Sequence, residues 1–546
     1  MTFLQHHAAK NALRLVPILA TVFKRRRNIP DAGPRQEIDP VLMHQLLRDG
    51  AERAPEKIAL RWVDRDRALT FAAAVDDMER FAGALHHLGV RKGDRVTVFA
   101  HNGLDYLMAL FACWRIGAIA ALVNVRFADE LAYYLADHEP TVIIYTHDLV
   151  AAVQRAAPGC ATLRHLVCMD GPQEGAESLP DLLAAGFAAP DDPSDEDAIA
   201  HLSYTSGTTG RPKGACLMHE PTMRATRCIA ERLRIKAEDI SFGPTALSSS
   251  YQLVGNLLPP LHRGCTVHVM GRWTQSSGWD AIEAAGATMF VGNPTLLAEI
   301  LAESRTRGRV PGRLRFGMSG GGPVPATLKL AWRDELQLPL VESYGQSELG
   351  GFVALGAPEI EEVRHFGAVG PPLPDKEVRI LDRDGCVLPV GQIGEVCLRG
   401  GYMQGYWGKP DKSAEAVRGG WLHTGDAGVI DRDGYVTMRG RFSELIQVAG
   451  RIWYPRDVEE ALCRQPGVKE AAVIAVPDSA LGERPIAFVT SDAASLDVSS
   501  LGVAVTAAVP YDTAALTITR LETFPMTPTG KIAKAELRQM AMAGAL

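Results

Sequence analysis

Apolar and polar positions along this chain fall into two patterns. Residues 96–100, 119–125 and 141–145 are short, almost uninterrupted apolar runs of the kind a buried strand presents. After the first run, Leu104, Leu107, Met108 and Phe111 recur at i, i+3, i+4 and i+7. That spacing predicts an amphipathic helix, and Gly117 predicts its end. Residues 40–50, with Val41, Met43, Leu46 and Leu47 on one side, predict another helix, and residues 223–233 a third. Strands interleaved with helices imply parallel sheets with helices on their faces, an α/β architecture. The last hundred residues read as a small α+β unit. Pro455 suits the first turn of a helix whose apolar face is Val458, Ala461 and Leu462. Residues 471–476 and 486–489 predict strands, with 477–484 as their connector. The stretch 107–125 is hydrophobic, but Arg115 and Gly117 divide it, so it reads as core and not as a membrane span.

Composition narrows this picture only at a few points. A chain of 546 residues exceeds one ordinary core and predicts two or more domains. Its hydrophobic content of 47% against 22% charged residues is that of a folded globular protein. A net charge of −7 gives no support to a nucleic-acid binder. The nine cysteines are scattered, without C-x-x-C spacing, so neither a zinc ribbon nor a disulfide framework is expected, and a reducing cytoplasm fits. Residues 11–23 are apolar but short, broken by Arg14 and Pro17 and followed by Lys24-Arg-Arg-Arg27. They are too few to span a bilayer. Residues 11–27 suit peripheral contact with an anionic membrane surface, an extra helix on the main domain, or a loose arm.

The densest chemistry lies in Tyr204-Thr-Ser-Gly-Thr-Thr-Gly-Arg-Pro-Lys-Gly214. Gly207 and Gly210 open backbone conformations that let amides converge on an anion. Thr205, Ser206, Thr208 and Thr209 add hydroxyl donors, and Lys213 adds a point charge suited to phosphate. Apolar Ile199 and Leu202 before it, and residues 215–218 after it, place the loop between two buried strands. A Ser/Gly surface turn draws on the same residue types. The string is not the Walker loop, which needs Gly-Lys-Ser/Thr at a helix start. A second glycine cluster, Gly320-Gly321-Gly322, lets a flat ring approach the backbone. Two acidic motifs follow, Glu342-Ser-Tyr-Gly-Gln-Ser-Glu348 and Trp421-Leu-His-Thr-Gly-Asp426.

Taken together, these strings resemble the adenylate-forming superfamily, the AMP-binding, ATP-dependent enzymes, over about residues 45–540. The branch they are most similar to is the acyl-CoA synthetases, or carboxylic acid–CoA ligases. The resemblance implies a large AMP-binding domain over residues 38–442, after an extension of residues 1–37. A small mobile α+β lid domain over residues 443–546 completes it. It implies that residues 205–210 and Lys213 hold phosphates and that Gly320, Gly321 and Gly322 lie along adenine together with Glu342, Ser343, Tyr344 and Gly345. Ser347 would reach the α-phosphate, Glu348 would hold Mg²⁺, and Asp426 and Arg441 would take the ribose. Lys531, in Pro525-Met-Thr-Pro-Thr-Gly-Lys-Ile532, would be the catalytic lysine that swings in from the small domain. Gly450 would let the pantetheine of CoA pass close to backbone. The implied reaction joins a carboxylic acid to CoA at the expense of ATP, with a fatty or bulky hydrophobic acid as the expected substrate. The same fold also serves stand-alone enzymes that load a carrier protein, and a silent nucleotide-binding regulator would keep the same pocket.

The chain departs from the family at two places. Where relatives carry a His beside an aromatic residue on the acyl-pocket wall, it reads Leu247-Ser-Ser-Ser-Tyr251. Small serines there suggest more room for the acid, and a plain loop explains them as well. Ser443 occupies the hinge position usually held by Asp or Lys. A hinge needs only tolerance of changed backbone angles, which serine has.

Overall fold

Two sheets with parallel centres carry most of the chain. In a computed structural model the described residues are 42–193, 195–205, 211–359, 365–491, 496–526 and 532–543. The readings made on residues 1–37, including the membrane-facing reading of 11–27, lie outside them. One sheet runs, in spatial order, Gly351–Leu355, Leu340–Gln346, Phe316–Ser319, Met289–Gly292, Ile240–Gly243, Thr266–Val269, Ile58–Trp62, Arg67–Thr70. Its inner strands are parallel and its two edge strands antiparallel. The second begins Glu177–Ser178, His165–Cys168, Val142–Tyr145, and continues Arg95–Phe99, Ile119–Leu122, Ile199–Thr205, Lys213–Met218. It is parallel except for the closing hairpin of its last two strands.

The helix Leu104–Arg115 explains how the two sheets meet. All its residues except Asp105 are buried. A helix apolar on every side has to lie inside a core. Its cluster joins Val96, Val98 and Leu122 of one sheet to Leu60 and Val267 of the other. Arg115, the charge that interrupts the hydrophobic stretch, donates to Glu79 at 2.9 Å and to the Pro190 carbonyl at 2.9 Å. Burial works to raise the Glu79 carboxyl, but Arg48 and Arg115 together hold it below its ordinary value.

Two further sheets complete the architecture. An antiparallel one contains Glu377–Leu381, Gly394–Arg399, Trp421–Ile430, Val417–Arg418 and Val436–Arg441. The last holds Arg451–Trp453, Ile446–Val448, Gly482–Thr490, Glu470–Asp478 and Thr517–Arg520, backed by the helix Pro455–Cys463. The fold is therefore α/β with large mixed sheets and a smaller C-terminal α+β part. No described helix is long and apolar enough to cross a membrane.

Three predicted elements shift. The helix expected over 40–50 is Gln45–Arg53 and runs through Gly50, because the Phe71 ring would collide at 2.1 Å with any Cβ there. The stretch 477–484 is mostly strand: Pro477 pairs with Glu483 and Asp478 with Gly482 in one long hairpin. Residues 119–125 give up their strand after Leu122.

Candidate active site

The phosphate-loop string starts from the hairpin of Ile199–Thr205 and Lys213–Met218, where Thr205 is the register partner of Lys213. Ser206, Gly207, Thr208, Thr209 and Gly210 lie outside the described residues. The base of the loop is held from several sides. The Tyr204 hydroxyl donates to Asp137 at 2.9 Å and meets His138 Nδ1 at 2.9 Å, while His138 Nε2 meets Thr97 Oγ1 at 2.7 Å. Tyr133 donates to the Pro212 carbonyl, and the Arg211 guanidinium lies 5.2 Å from the Tyr133 ring centre. Thr205 Oγ1 is buried with no hydrogen-bond partner among the described residues.

Three buried imidazoles surround this hairpin. Burial pushes His138, His201 and His219 down to about 3, 4 and 3, with Arg95 adding to the shift of His138. All three are neutral in the native protein at pH 5, whereas unfolded histidines titrate near about 6.5. Below that value the unfolded chain binds protons that the native state refuses, so stability falls as pH drops from about 6.5 toward about 4. Each imidazole contributes a slope of about 1.4 kcal/mol per pH unit. Thermal unfolding between pH 8 and pH 5 should show a flat upper limb and a steep fall below about 6.5. A profile level down to pH 5 would refute the assignment.

Lys213 and Glu348 converge on one tyrosine. Lys213 Nζ lies 4.3 Å from the Tyr406 ring centre, and the Tyr406 hydroxyl donates to Glu348 Oε1 at 2.8 Å. Burial first, then the Glu348 charge, raise the Tyr406 hydroxyl well above its ordinary range, so it stays a donor. The strand Lys213–Met218 is zipped to the segment carrying Tyr406 by Trp407 N to Gly214 O at 2.8 Å and Cys216 N to Gly405 O at 2.9 Å. Glu348 follows Ser347 in the short 3₁₀ turn Ser347–Leu349. The Tyr406 hydroxyl engages one carboxylate oxygen of Glu348, and the other is a hard oxygen donor.

Asp426 sits at a bulge. Cys397 pairs with His423 and Glu395 with Ala427, so Thr424, Gly425 and Asp426 together oppose Val396 alone. A bulge of this kind re-aims a side chain. Gly425 takes φ +70°, and its amide is satisfied by Glu395 Oε1 at 2.9 Å. The Asp426 carboxylate receives three donors: Tyr344 OH at 2.6 Å, Gln346 Nε2 at 2.6 Å and Arg441 Nε at 2.7 Å. Burial first, then the Asp426 charge, raise the Tyr344 hydroxyl well above its ordinary range.

The glycine cluster is tight at one position and open at the next. A Cβ on Gly320 would stand 2.4 Å from both Ser343 Oγ and the Tyr251 ring, whereas Gly321, at φ +79°, has open space. Gly322 would meet Pro294 only at 3.9 Å. Gly345 is held by the carbonyl of Gly351, 2.8 Å from where its Cβ would be. The Glu342 side chain, expected near the nucleotide, is held by two cations. It is 3% exposed, its carboxylate pairs with Lys329 Nζ at 2.9 Å, and Arg456 Nη2 of the helix Pro455–Cys463 lies 3.8 Å away. An ion pair with so little solvent around it leaves the carboxylate committed.

The serine stretch does not leave the room expected of it. Ser249 caps the start of the helical segment at Ser250, and Ser250 Oγ bonds Ser203 Oγ at 2.6 Å. Tyr251 takes the space: its hydroxyl donates to the carbonyls of Gly292 and Met318 at 2.9 and 3.0 Å, and its ring packs on Gly320 and near Phe352. Gly450 occupies the exposed tip of the hairpin of Ile446–Val448 and Arg451–Trp453, with Ala449 also at positive φ. Lys531 lies outside the described residues, between Met526 and Ile532, which form an antiparallel bridge.

Sequence reasoning missed Tyr406, Gln346, Glu395, Lys329 and Arg456. Gln346 stood inside a motif already singled out, and an uncharged amide gave no reason to choose it. The others are brought in by strand pairing or helix docking, which leaves no spacing signal.

Comparison with known proteins gives the same picture over most of the chain. The AMP-binding enzyme family matches residues 47–407, and the AMP-binding enzyme C-terminal domain matches residues 457–531. The chain is similar to a feruloyl-CoA synthase of Amycolatopsis sp, 33% identical over 494 residues, covering 90% of this chain and 97% of that one. It is also similar to the 4-hydroxybenzoate–CoA/benzoate–CoA ligase of Rhodopseudomonas palustris, 30% identical over 449 residues, covering 81% and 82%. Among solved structures it superposes on the anthranilate CoA ligase AuaEII in complex with anthranoyl-AMP, with a TM-score of 0.86 and 27% identity. That match covers 93% of this chain and 99% of that one.

Proposed function

We propose, on the premise that this chain belongs to the AMP-binding enzyme family and is an AMP-forming acyl- or aryl-CoA ligase, that its acid is bulky and hydrophobic, with a flat aromatic acid fitting best. A carboxylate is a poor electrophile because its leaving group would be oxide. Attack of a carboxylate oxygen on the α-phosphorus of ATP forms an O–P bond, breaks the bond to the β-phosphate oxygen, and releases pyrophosphate. The thiol of CoA then adds to the acyl carbon and expels AMP.

Two anions must meet in the first step, so positive charge has to be waiting for the transition state. Lys213, set by Tyr406, faces the departing pyrophosphate. Asp426, set by its bulge, accepts from the ribose hydroxyls with Arg441 beside it. Lys531 would come to the acid and α-phosphate from the small domain of residues 443–546. Mg²⁺ on Glu348 would supply further charge neutralisation at the phosphates. Gly450, on its exposed hairpin, is the segment that would meet CoA after the small domain turns.

The observation that carries this reading is the convergence of Lys213 and Glu348 on Tyr406. The choice of acid is supported by the apolar cluster that contains Val254, Met318 and Phe352, with Tyr251 packed between it and the backbone of Gly320. The names of two similar ligases, for ferulate and 4-hydroxybenzoate, point the same way. A panel of aryl, fatty and short polar acids, each incubated with ATP, Mg²⁺ and CoA, tests it by thioester yield. Aryl acids should exceed acetate by at least about 100-fold in kcat/KM, since several buried methylene equivalents at about 0.8 kcal/mol each separate them. Preference for acetate would overturn the acid assignment. Acyl-adenylate without any CoA thioester would favour a carrier protein as acceptor.

A further inference from the structure

Beneath the Asp426 bulge, on the strands Gly394–Arg399 and Trp421–Ile430, three metal-ligating side chains meet. Cys397 and His423 are direct cross-strand partners, and Glu395 lies two residues from Cys397 on the same face. Cys397 Sγ is 3.4 Å from His423 Nδ1, and Glu395 Oε2 is 2.7 Å from the same nitrogen. All three ligand atoms lie within 4.8 Å of one another. We propose that Glu395, Cys397 and His423 form a binding site for a soft divalent cation, Zn²⁺ by chemistry, which acts as a brake on nucleotide binding.

The cysteine–histidine pair fits zinc as it stands, and the Glu395–His423 pair has to open from 2.7 Å to about 3.3 Å. Bonds of about 2.3 Å to sulfur and about 2.0 Å to nitrogen put those two donors about 3.5 Å apart across a tetrahedral edge. The thiolate–imidazole–carboxylate set selects zinc over magnesium, which prefers oxygen alone. Three protein ligands leave a fourth position for water. Binding is balanced by one proton: the Cys397 thiol releases it to solvent, and His423 carries its remaining N–H on Nε2. Access is from the side where Glu395 and His423 side chains keep 16% and 10% of their exposure. Arg418 also faces the site, its guanidinium 3.9 Å from Glu395 Oε2 and bonded to the Glu415 carbonyl at 2.8 Å, and its side chain is 57% exposed, so solvent screens its charge. Nothing in the spacing of the cysteines announces this site, because strand pairing assembles it.

The link to the nucleotide runs through Glu395. Its Oε1 holds the Gly425 amide, and Asp426 is the next residue. A cation bound between Oε2 and His423 Nδ1 widens their 2.7 Å separation to about 3.3 Å, and the carboxylate shifts with it and loosens its hold on Gly425, so the bulge no longer aims Asp426. This coupling rests on the ribose role given to Asp426 above; the binding of the cation does not.

Cobalt serves as the probe, because Co²⁺ bound by thiolate gives an intense near-ultraviolet charge-transfer band. The full-length protein, stripped with chelator and kept in excess Mg²⁺, is titrated with Co²⁺ and then with Zn²⁺ as competitor. One equivalent of Co²⁺ should raise the band and Zn²⁺ should abolish it. The Cys397→Ser and His423→Gln variants, checked for an unchanged thermal midpoint, should show no band. A band that survives in both variants, or none in the parent protein, would overturn the site. In a second arm, saturating AMP should weaken Co²⁺ binding by at least about fivefold, and Co²⁺ should weaken AMP binding equally. Metal binding that ignores AMP would leave the site standing and overturn the brake.

Discussion

Lys531→Ala should lose adenylation while keeping thioester formation from a preformed acyl adenylate. The acid and the α-phosphate both carry negative charge as they approach, and a lysine bridging them neutralises charge that peaks in the transition state. Such a group is worth about 2.7–4 kcal/mol, which corresponds to a fall of about 10²–10³ in rate. The second half-reaction starts from the activated acyl carbon of a mixed anhydride and a thiol, with no second carboxylate to bring against the phosphate, so it has no call on that ammonium. Acid-dependent exchange of pyrophosphate into ATP measures the first step. Synthetic adenylate with CoA measures the second. Equal losses in both would mean that the substitution damages the protein and not one step, and exchange at the parent rate would remove Lys531 from the chemistry.

Asp426→Ala should be nearly as severe, for a different reason. Its carboxylate collects Tyr344, Gln346 and Arg441 at 2.6–2.7 Å and is only 6% exposed. Removing it strands the buried Tyr344 hydroxyl at a cost of about 1–3 kcal/mol, while Gln346 and the 36% exposed Arg441 keep the Thr424 carbonyl as an acceptor. The ribose loses its acceptor as well. AMP binding measured by calorimetry should weaken by at least about 100-fold, with a lowered thermal midpoint. Asp426→Asn keeps an acceptor oxygen and should fall between. Binding of AMP at parent affinity by the alanine variant would show that the carboxylate is only a structural tie for Arg441.

The contrast between what was legible and what was not has a physical basis. Lys213, Glu348 and Asp426 each stand inside a short contiguous motif, so their residue types could be read together with their neighbours. Tyr406 lies 58 residues from Glu348 and was silent, since its role appears only when a strand pairs with the segment of residues 404–407. Arg456 follows Pro455 in the first turn of its helix and drew no reading, and docking of that helix buries it against Glu342. Burial works to lower that guanidinium, but the charges of Glu342 and Glu460 hold it above its ordinary value. The serines before Tyr251 suggested space, and the ring beside them consumed it. The helix expected over 40–50 was legible in type but not in its end at Arg53, because Gly50 lies inside it against Phe71.

The most direct test of the account is acid-dependent exchange of labelled pyrophosphate into ATP, measured with the full-length protein in the absence of CoA. A reversible acyl-adenylate at a site built from Lys213, Glu348 and Asp426 predicts exchange that needs a hydrophobic acid and Mg²⁺ and proceeds without CoA. Formation of ADP and phosphate with no exchange for any acid would contradict it.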